Sequence, residues 1–209
     1  MITNVTAIVL AGGKSSRMGK NKALMNIGSE MIMQKLIYKL DHIFSKIIIS
    51  TNSPDKFSKF NKLVYQDVYP HLGPISGVHS GLMNSATEKN LILPCDMPVL
   101  SNEIIEYLAN QKLFGDALFF EINRKIQMPF GLYNKRVYTI AEELIKNSDL
   151  SKLKTGKIKL RMKDLFAKID YSTIETMNLN FYTDNQFLNM NTPEDYKKIS
   201  EIITSTNYK

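Results

Sequence analysis

The stretch VLAGGKSSRMGKNKALM, Val9–Met25, sets two adjacent glycines behind an apolar run and then places Lys14, Arg17, Lys20 and Lys22 within nine residues. Val5 to Leu10, which leads into it, is apolar and β-branched without alternation. That is the pattern of a parallel strand covered on both faces. Open parallel sheets bind ligands at the carboxyl ends of their strands, which is where this turn falls. Gly12 and Gly13 let backbone N–H groups approach a ligand with no side chain between. Such donors, with a following helix N-terminus, form an anion site. Arg17 as a planar fork and Lys22 as a point charge suit phosphate oxygens there. The spacing matches neither GxxxxGK[ST] nor GxGxxG, so the residues alone leave two readings open, a phosphate cradle and a structural turn.

Outward from the loop, the chain alternates. Met31 to Phe44 carries Ile32, Leu36, Ile37, Leu40 and Ile43 at helical spacing. KIIIS (Lys46–Ser50) reads as a second buried strand, ended by Thr51, Asn52, Ser53 and Pro54, and KLVYQD reads as a third with Asp67 at its exit. GPISGVHSGLMNSA puts a Gly-Pro turn ahead of a helix, and NLILPCD is a fourth strand delivering Asp96 before Pro98. A helix follows over Asn102 to Gln111. Strand and helix in alternation at this spacing predict an α/β fold with a mostly parallel sheet and helices on both faces. The second half is less regular. DALFFEI and IQMPFGLY read as strands and Val137 to Lys146 as a helix, while Thr192, Pro193 and Asp195 mark a further helix start. With no linker, repeat or low-complexity segment, one domain over 1–209 is expected.

Composition sets the class. The 209 residues are 44% hydrophobic and 22% charged, as in globular proteins. The apolar runs are too short for a membrane-spanning helix, and MITNVTAIVLAGG lacks the basic start of a signal peptide. A single cysteine, Cys95, rules out an intrachain disulfide framework and fits a reducing, cytoplasmic setting. The formal charge of +7 is spread along the chain without a basic arm. It therefore reads as solvated surface, with neither nucleic acid nor membrane as a partner.

LAGGKSSRMGKNKAL resembles the signature LAGGxSxRMGxDKAL of nucleotidyltransferases with a Rossmann-like fold. With GPISG (Gly73–Gly77) and PCDMP (Pro94–Pro98), the likeness is to the molybdenum cofactor guanylyltransferases; related cytidylyl enzymes more often carry LAAG. The resemblance spans Val9 to Pro98 and thins beyond residue 100 to PFGLY and NMNTPEDY. It implies a three-layer sandwich of the nucleotide-diphospho-sugar transferase type. In it, residues 1–100 would bind nucleotide and 101–209 the acceptor. It implies transfer of GMP from GTP to the terminal phosphate of molybdopterin, with release of pyrophosphate. The alternatives are a cytidylyl or sugar-phosphate transferase of the same fold, or a non-catalytic nucleotide-binding protein.

Carried residue by residue, the likeness assigns Leu10, Ala11 and Gly12 to backbone contacts with the guanine nucleotide and Lys22 to phosphate. A family asparagine that touches the nucleotide falls on Ser50 or on Asn52. Asp67 would hold the nucleoside part and Asp96 would bind Mg²⁺. Gly73 and Gly77 would allow close ligand approach, although four-residue glycine spacing equally suits helix packing. Asn189 and Asn191 would help bind molybdopterin, whereas spacing alone makes them a helix start. Asn21 departs from the family's usual Asp. The implied partners are GTP and molybdopterin, with a recipient molybdoenzyme or cofactor chaperone beyond them, and the working unit would be a monomer or weak homo-oligomer.

The chemistry suits these residues. A phosphate monoester has its second pKa near ~6 and is largely ionised at neutral pH, so guanylyl transfer needs no general base. His42, His71 and His79 have no partner nucleophile in the sequence. The reaction needs charge neutralisation and alignment, from Arg17, Lys22 and an ion on Asp96 held by few protein ligands. Asp96 has a plain alternative as the cap of a turn, and Asp67 as an ordinary loop acid. Cys95 reads as an apolar filler.

Overall fold

The computed structural model describes residues 1–12, 21–149, 152 and 160–205. Val5–Leu10 (β1) is buried at every position. It pairs in parallel with Ile47–Thr51 (β4) on one side and Lys89–Pro94 (β6) on the other. β4 pairs in parallel with Leu63–Gln66 (β5) at the sheet's edge. On the far side Gly131–Asn134 (β9) runs antiparallel between β6 and Ala117–Ile122 (β7), and Tyr171–Glu175 (β10) closes that edge parallel to β7. The resulting order is β10-β7-β9-β6-β1-β4-β5, with the short Lys125–Ile126 (β8) folded back on β7. β6 therefore joins the two halves of the chain in one sheet.

Alternate residues of a strand face opposite sides, and β1 divides its side chains accordingly. Val5, Ala7 and Val9 pack with Ile32–Ile43 (α1) and Asn102–Asn110 (α3). Ile8 and Leu10 pack with Pro74–Met83 (α2), Val137–Lys146 (α4) and Met162–Phe166 (α5). These are the three layers the alternation of strand and helix predicts. A smaller cluster seats Pro193–Ser205 (α6) through Ile199 and Ile203 against Ile27, Ile32 and Val99. Among the described residues no helix is long and apolar enough to cross a membrane.

Three differences from the sequence reading have local causes. IQMPFGLY is not one strand: Ile126 ends β8, Met128–Pro129 is a cis peptide, and β9 begins at Gly131. Pro129 has no N–H to give to a ladder. β10 escaped the sequence reading because YSTIE is almost wholly exposed and lacks the apolar run of a central strand. The pair Asn26–Ile27 (β2) and Glu30–Met31 (β3) forms a separate small hairpin around Gly28, whose φ is +64°.

Candidate functional site

β1, β4 and β6 end side by side, and their continuations build the site. The Ala11 N–H donates to the Ser50 carbonyl at 2.9 Å, and the Cys95 N–H donates to the Leu10 carbonyl at 3.1 Å. The Thr51 hydroxyl donates to the Ala11 carbonyl at 3.1 Å. The chain beyond β1 is thus gripped from both neighbours and arrives at Gly12, which is exposed. A Cβ there would lie 3.2 Å from Asn52 Nδ2 and 3.4 Å from Asp67 Oδ2. Glycine is what lets the backbone pass that close to a buried carboxylate. Gly13 and Arg17 lie outside the described residues.

A cleft of about 280 Å³ opens over this edge, lined by Leu10, Ala11, Gly12, Lys22, Asp96 and Asn189, with Pro74, Pro94, Met128 and Pro129 among its other walls. Asn52 and Asp67 are not among its lining and meet it at Gly12. Lys22 opens a single 3-10 turn, Lys22–Leu24, capped by Asn21, whose Oδ1 accepts from the Ala23 N–H at 3.1 Å. An aspartate would cap in the same way, so the Asn21 departure leaves the turn intact.

Lys22 Nζ donates to Asn191 Oδ1 at 2.8 Å and lies 3.8 Å from Asp96 Oδ2. Asp96 stands just past β6, and its carbonyl accepts from the Met190 N–H at 2.8 Å. That bond brings the strand-end acid and the NMNTPEDY segment together. Thr192 and Asp195 then start α6 reciprocally, the Asp195 N–H on Thr192 Oγ1 and the Thr192 N–H on Asp195 Oδ2. The N–H groups of Asn191 and Thr192 also hold the Asp195 carboxyl below the usual carboxylate range. Asp96 behaves in the opposite way. Burial raises its pKa and the Lys22 ammonium only partly offsets this. Cys95 is pushed up to about 12 by burial and then by Asp96. The thiol therefore stays protonated, as an apolar filler would.

Asp67 is 4% exposed and accepts from the Ser50 hydroxyl at 2.8 Å. Burial raises its pKa, opposed first by Ser50 and then by Asn52 and His71. Ser50 is 1% exposed and committed to Asp67. Asn52 is only half-buried, and its Oδ1 accepts from the His71 N–H at 3.3 Å. Of the two positions the sequence leaves open, only Asn52 faces Gly12 with a half-exposed amide.

The glycines separate. Gly73 has φ +77° and nothing within 4 Å of a Cβ, so its backbone is open beside the cleft wall at Pro74. Gly77 is not open to ligand: it is buried, and a Cβ would lie 3.2 Å from Leu10 Cδ2 and 3.8 Å from Ser50 Oγ. It serves close packing of α2 on β1, the packing alternative the four-residue spacing had left. Sequence reasoning missed Ser50 as the Asp67 partner, Thr51, and the Met128–Pro129 wall. The proline inside IQMPFGLY was the available signal for the last. Among the described residues no three His, Cys, Asp or Glu side chains gather as a metal cage.

A mostly parallel sheet with a lysine, an acid and the Gly12 backbone around one cleft at its carboxyl edge is the framework of a nucleotidyltransferase. Residues 7–159 match the MobA-like NTP transferase domain, and the chain belongs to that family. The probable molybdenum cofactor guanylyltransferase of Carboxydothermus hydrogenoformans is 33% identical to it over 204 residues, 96% of this chain and 98% of that protein. Its counterpart from Clostridium perfringens (strain 13 / Type A) is 32% identical over 196 residues, 93% and 95% of the two chains. The solved structure of molybdopterin-guanine dinucleotide biosynthesis protein A from Archaeoglobus fulgidus shares the fold, with a TM-score of 0.79 at 18% identity. It covers 96% of this chain and 100% of that one.

Proposed function

We propose that this chain transfers GMP from GTP to the terminal phosphate of molybdopterin, forming the guanine dinucleotide cofactor and pyrophosphate. The observation that carries the reading is the meeting of Lys22, Asp96 and Asn191 at the cleft that Gly12 also lines, in a chain similar over nearly its whole length to proteins named molybdenum cofactor guanylyltransferases. The nucleotide belongs to the half that ends near residue 100 and the acceptor to the half that contributes Asn189 and Asn191.

In the reaction an oxygen of the acceptor phosphate forms the new bond to the α-phosphorus of GTP. The bond from that phosphorus to the β-phosphate oxygen breaks, and its electron pair leaves with pyrophosphate. The attacking phosphate is already ionised at neutral pH, its second pKa being near ~6, so no side chain has to remove a proton. Leu10, Ala11 and Gly12 bring backbone to the nucleotide, and Asn52 and Asp67 take its nucleoside end. Lys22 and Arg17 neutralise the phosphate oxygens, worth on the order of 3–4 kcal/mol of transition-state stabilisation for one such donor.

Asp96 fits a divalent cation. Its carboxylate is disfavoured by burial and only partly compensated by one ammonium 3.8 Å away, and Mg²⁺ characteristically takes one or two carboxylates plus substrate phosphates. When bound, Mg²⁺ would supply positive charge to the triphosphate. Asn189 and Asn191 offer amide donors and acceptors to the pterin edge. The setting is cytoplasmic, with delivery to a molybdoenzyme or cofactor chaperone as the onward step.

A thermal-shift panel of GTP, CTP, ATP and UTP, each with Mg²⁺, tests the base. A ligand at ~100 times its Kd stabilises by roughly 2.7 kcal/mol, so GTP alone should raise the melting temperature. Pyrophosphate release on adding molybdopterin then tests the acceptor. A shift by CTP or UTP in place of GTP would refute the guanylyl reading.

A further inference from the structure

Between β5 and α2 the chain passes from Asp67 to Gly73, and its residues 68 and 69 are bonded to α2. The Val68 N–H donates to Ser80 Oγ at 2.8 Å. The Tyr69 carbonyl accepts from the Ser76 hydroxyl at 2.5 Å. The Tyr69 ring meets the His79 ring edge-on with centroids 5.2 Å apart, and its hydroxyl donates to Glu142 Oε1 of α4 at 3.3 Å. Two residues on, the His71 N–H rests on Asn52 Oδ1.

Ser76, His79 and Ser80 are three and four residues apart, which puts them on one helix face. All three are 0% exposed. A buried hydroxyl costs free energy unless it is hydrogen-bonded. An apolar side chain at either serine position would be buried without that cost. Both hydroxyls are instead committed to main-chain atoms of Val68 and Tyr69, the two residues directly after Asp67. The glycines of the same helix do the packing: Gly77 lies against Leu10 and Gly81 against Ile8. α2 thus meets the sheet with glycines and the preceding loop with hydroxyls.

We propose that Ser76 and Ser80 are positioning residues for nucleoside recognition. They pin residues 68 and 69 onto α2 and so hold the Asp67 carboxylate at Gly12, ready to accept from hydroxyl or amine donors of the nucleoside. This rests on the reading of Asp67 given under Proposed function. Ordering the loop before the nucleotide arrives spares that cost on binding. The consequence is a division of labour. The nucleoside end of the site depends on the α2 hydroxyls, and the phosphate end, served by Lys22, does not.

The test is Ser76→Ala, Ser80→Ala and the double variant in the full-length chain. Its readouts are KM for GTP, kcat, the inhibition constant of inorganic pyrophosphate and the melting temperature. Each single change should raise KM for GTP by about fivefold, the fold-change of one neutral hydrogen bond. The double variant should exceed either, with kcat within about twofold of wild type because the reacting groups are untouched. The pyrophosphate constant should not move. A lowered melting temperature with KM for GTP unchanged would overturn the inference by making the serines purely structural. So would equal weakening of GTP and pyrophosphate. Wild-type protein that neither binds GTP nor transfers guanylate overturns the functional reading, and this inference with it, before any variant is made.

Discussion

Lys22 and Asn191, 169 positions apart in the chain, are joined by a 2.8 Å hydrogen bond from the ammonium Nζ to the amide Oδ1. The same ammonium lies 3.8 Å from the Asp96 carboxylate. One side chain thus ties the Lys22–Leu24 turn to the end of β6 and to the start of α6.

Removing the charge and removing the tether should therefore differ. Lys22→Ala is expected to lower kcat/KM by about 10²–10³, the loss of one transition-state donor. Asn191→Ala keeps the ammonium but loses both its partner and an amide proposed to meet the acceptor, and should raise KM for GTP and for molybdopterin by about fivefold each at nearly constant kcat. Steady-state kinetics with each substrate varied separates the two variants. An unchanged KM for molybdopterin would limit Asn191 to aiming the lysine.

Asp96→Asn should cost activity without costing stability. Burial disfavours the ionised carboxyl at this position, so a neutral amide of the same shape relieves a penalty. We expect a melting temperature at or above that of wild type, together with at least about a hundredfold fall in Mg²⁺-dependent turnover, the pattern of a site that trades stability for function. A fully active Asp96→Asn would overturn the proposed role of Asp96 in holding Mg²⁺.

With Asp67 in its proposed role, the Ser50–Asp67 bond should set a pH limit on GTP binding. Burial raises the pKa of Asp67, and the Ser50 hydroxyl is the largest influence holding it down. On the proposed reading the ionised carboxylate accepts from the nucleoside, so GTP affinity should be present above this pKa and lost as pH falls through it. Ser50→Ala should raise the pKa further and move the acid limb of a KM–pH profile to higher pH, with affinity near wild type on the alkaline side. An unmoved limb would mean that Asp67 does not meet the nucleotide.

Two glycines are held by crowding and one by its backbone angle. A Cβ at Gly81 would overlap Ile8, and one at Gly131 would overlap Phe119. Gly81→Ala and Gly131→Ala should each destabilise by about 1–3 kcal/mol through overpacking. Gly73→Ala meets open space but carries φ +77° and ψ −158°, a region essentially restricted to glycine, and should cost about 1–3 kcal/mol through strain alone. Urea unfolding of the three variants measures these costs.

The central strands and all the described α-helices but the five-residue Met162–Phe166 (α5) were legible in the sequence because their burial is periodic over a few residues. β1, β4 and β6 show unbroken apolar runs because helices cover both of their faces, and α1 and α3 show the 3.6-residue stripe of one buried face. The glycine turn, Lys22 and Asp96 were also legible as candidates, since turns and strand ends carry local residue signals.

Only the tertiary structure decided the rest. It inserted β9 antiparallel between β6 and β7, a choice made by strand order and not by any run of residues. It committed Ser50 to Asp67 and left Asn52 at Gly12, a choice that spacing could not make between two polar candidates two positions apart. It turned Gly77 from a ligand contact into a packing contact with Leu10. It also set Asn191 on Lys22. The physical reason is range. Propensity, periodicity and capping act over a turn or two of chain, whereas a hydrogen bond between residues 22 and 191 exists only once the sheet between them has formed.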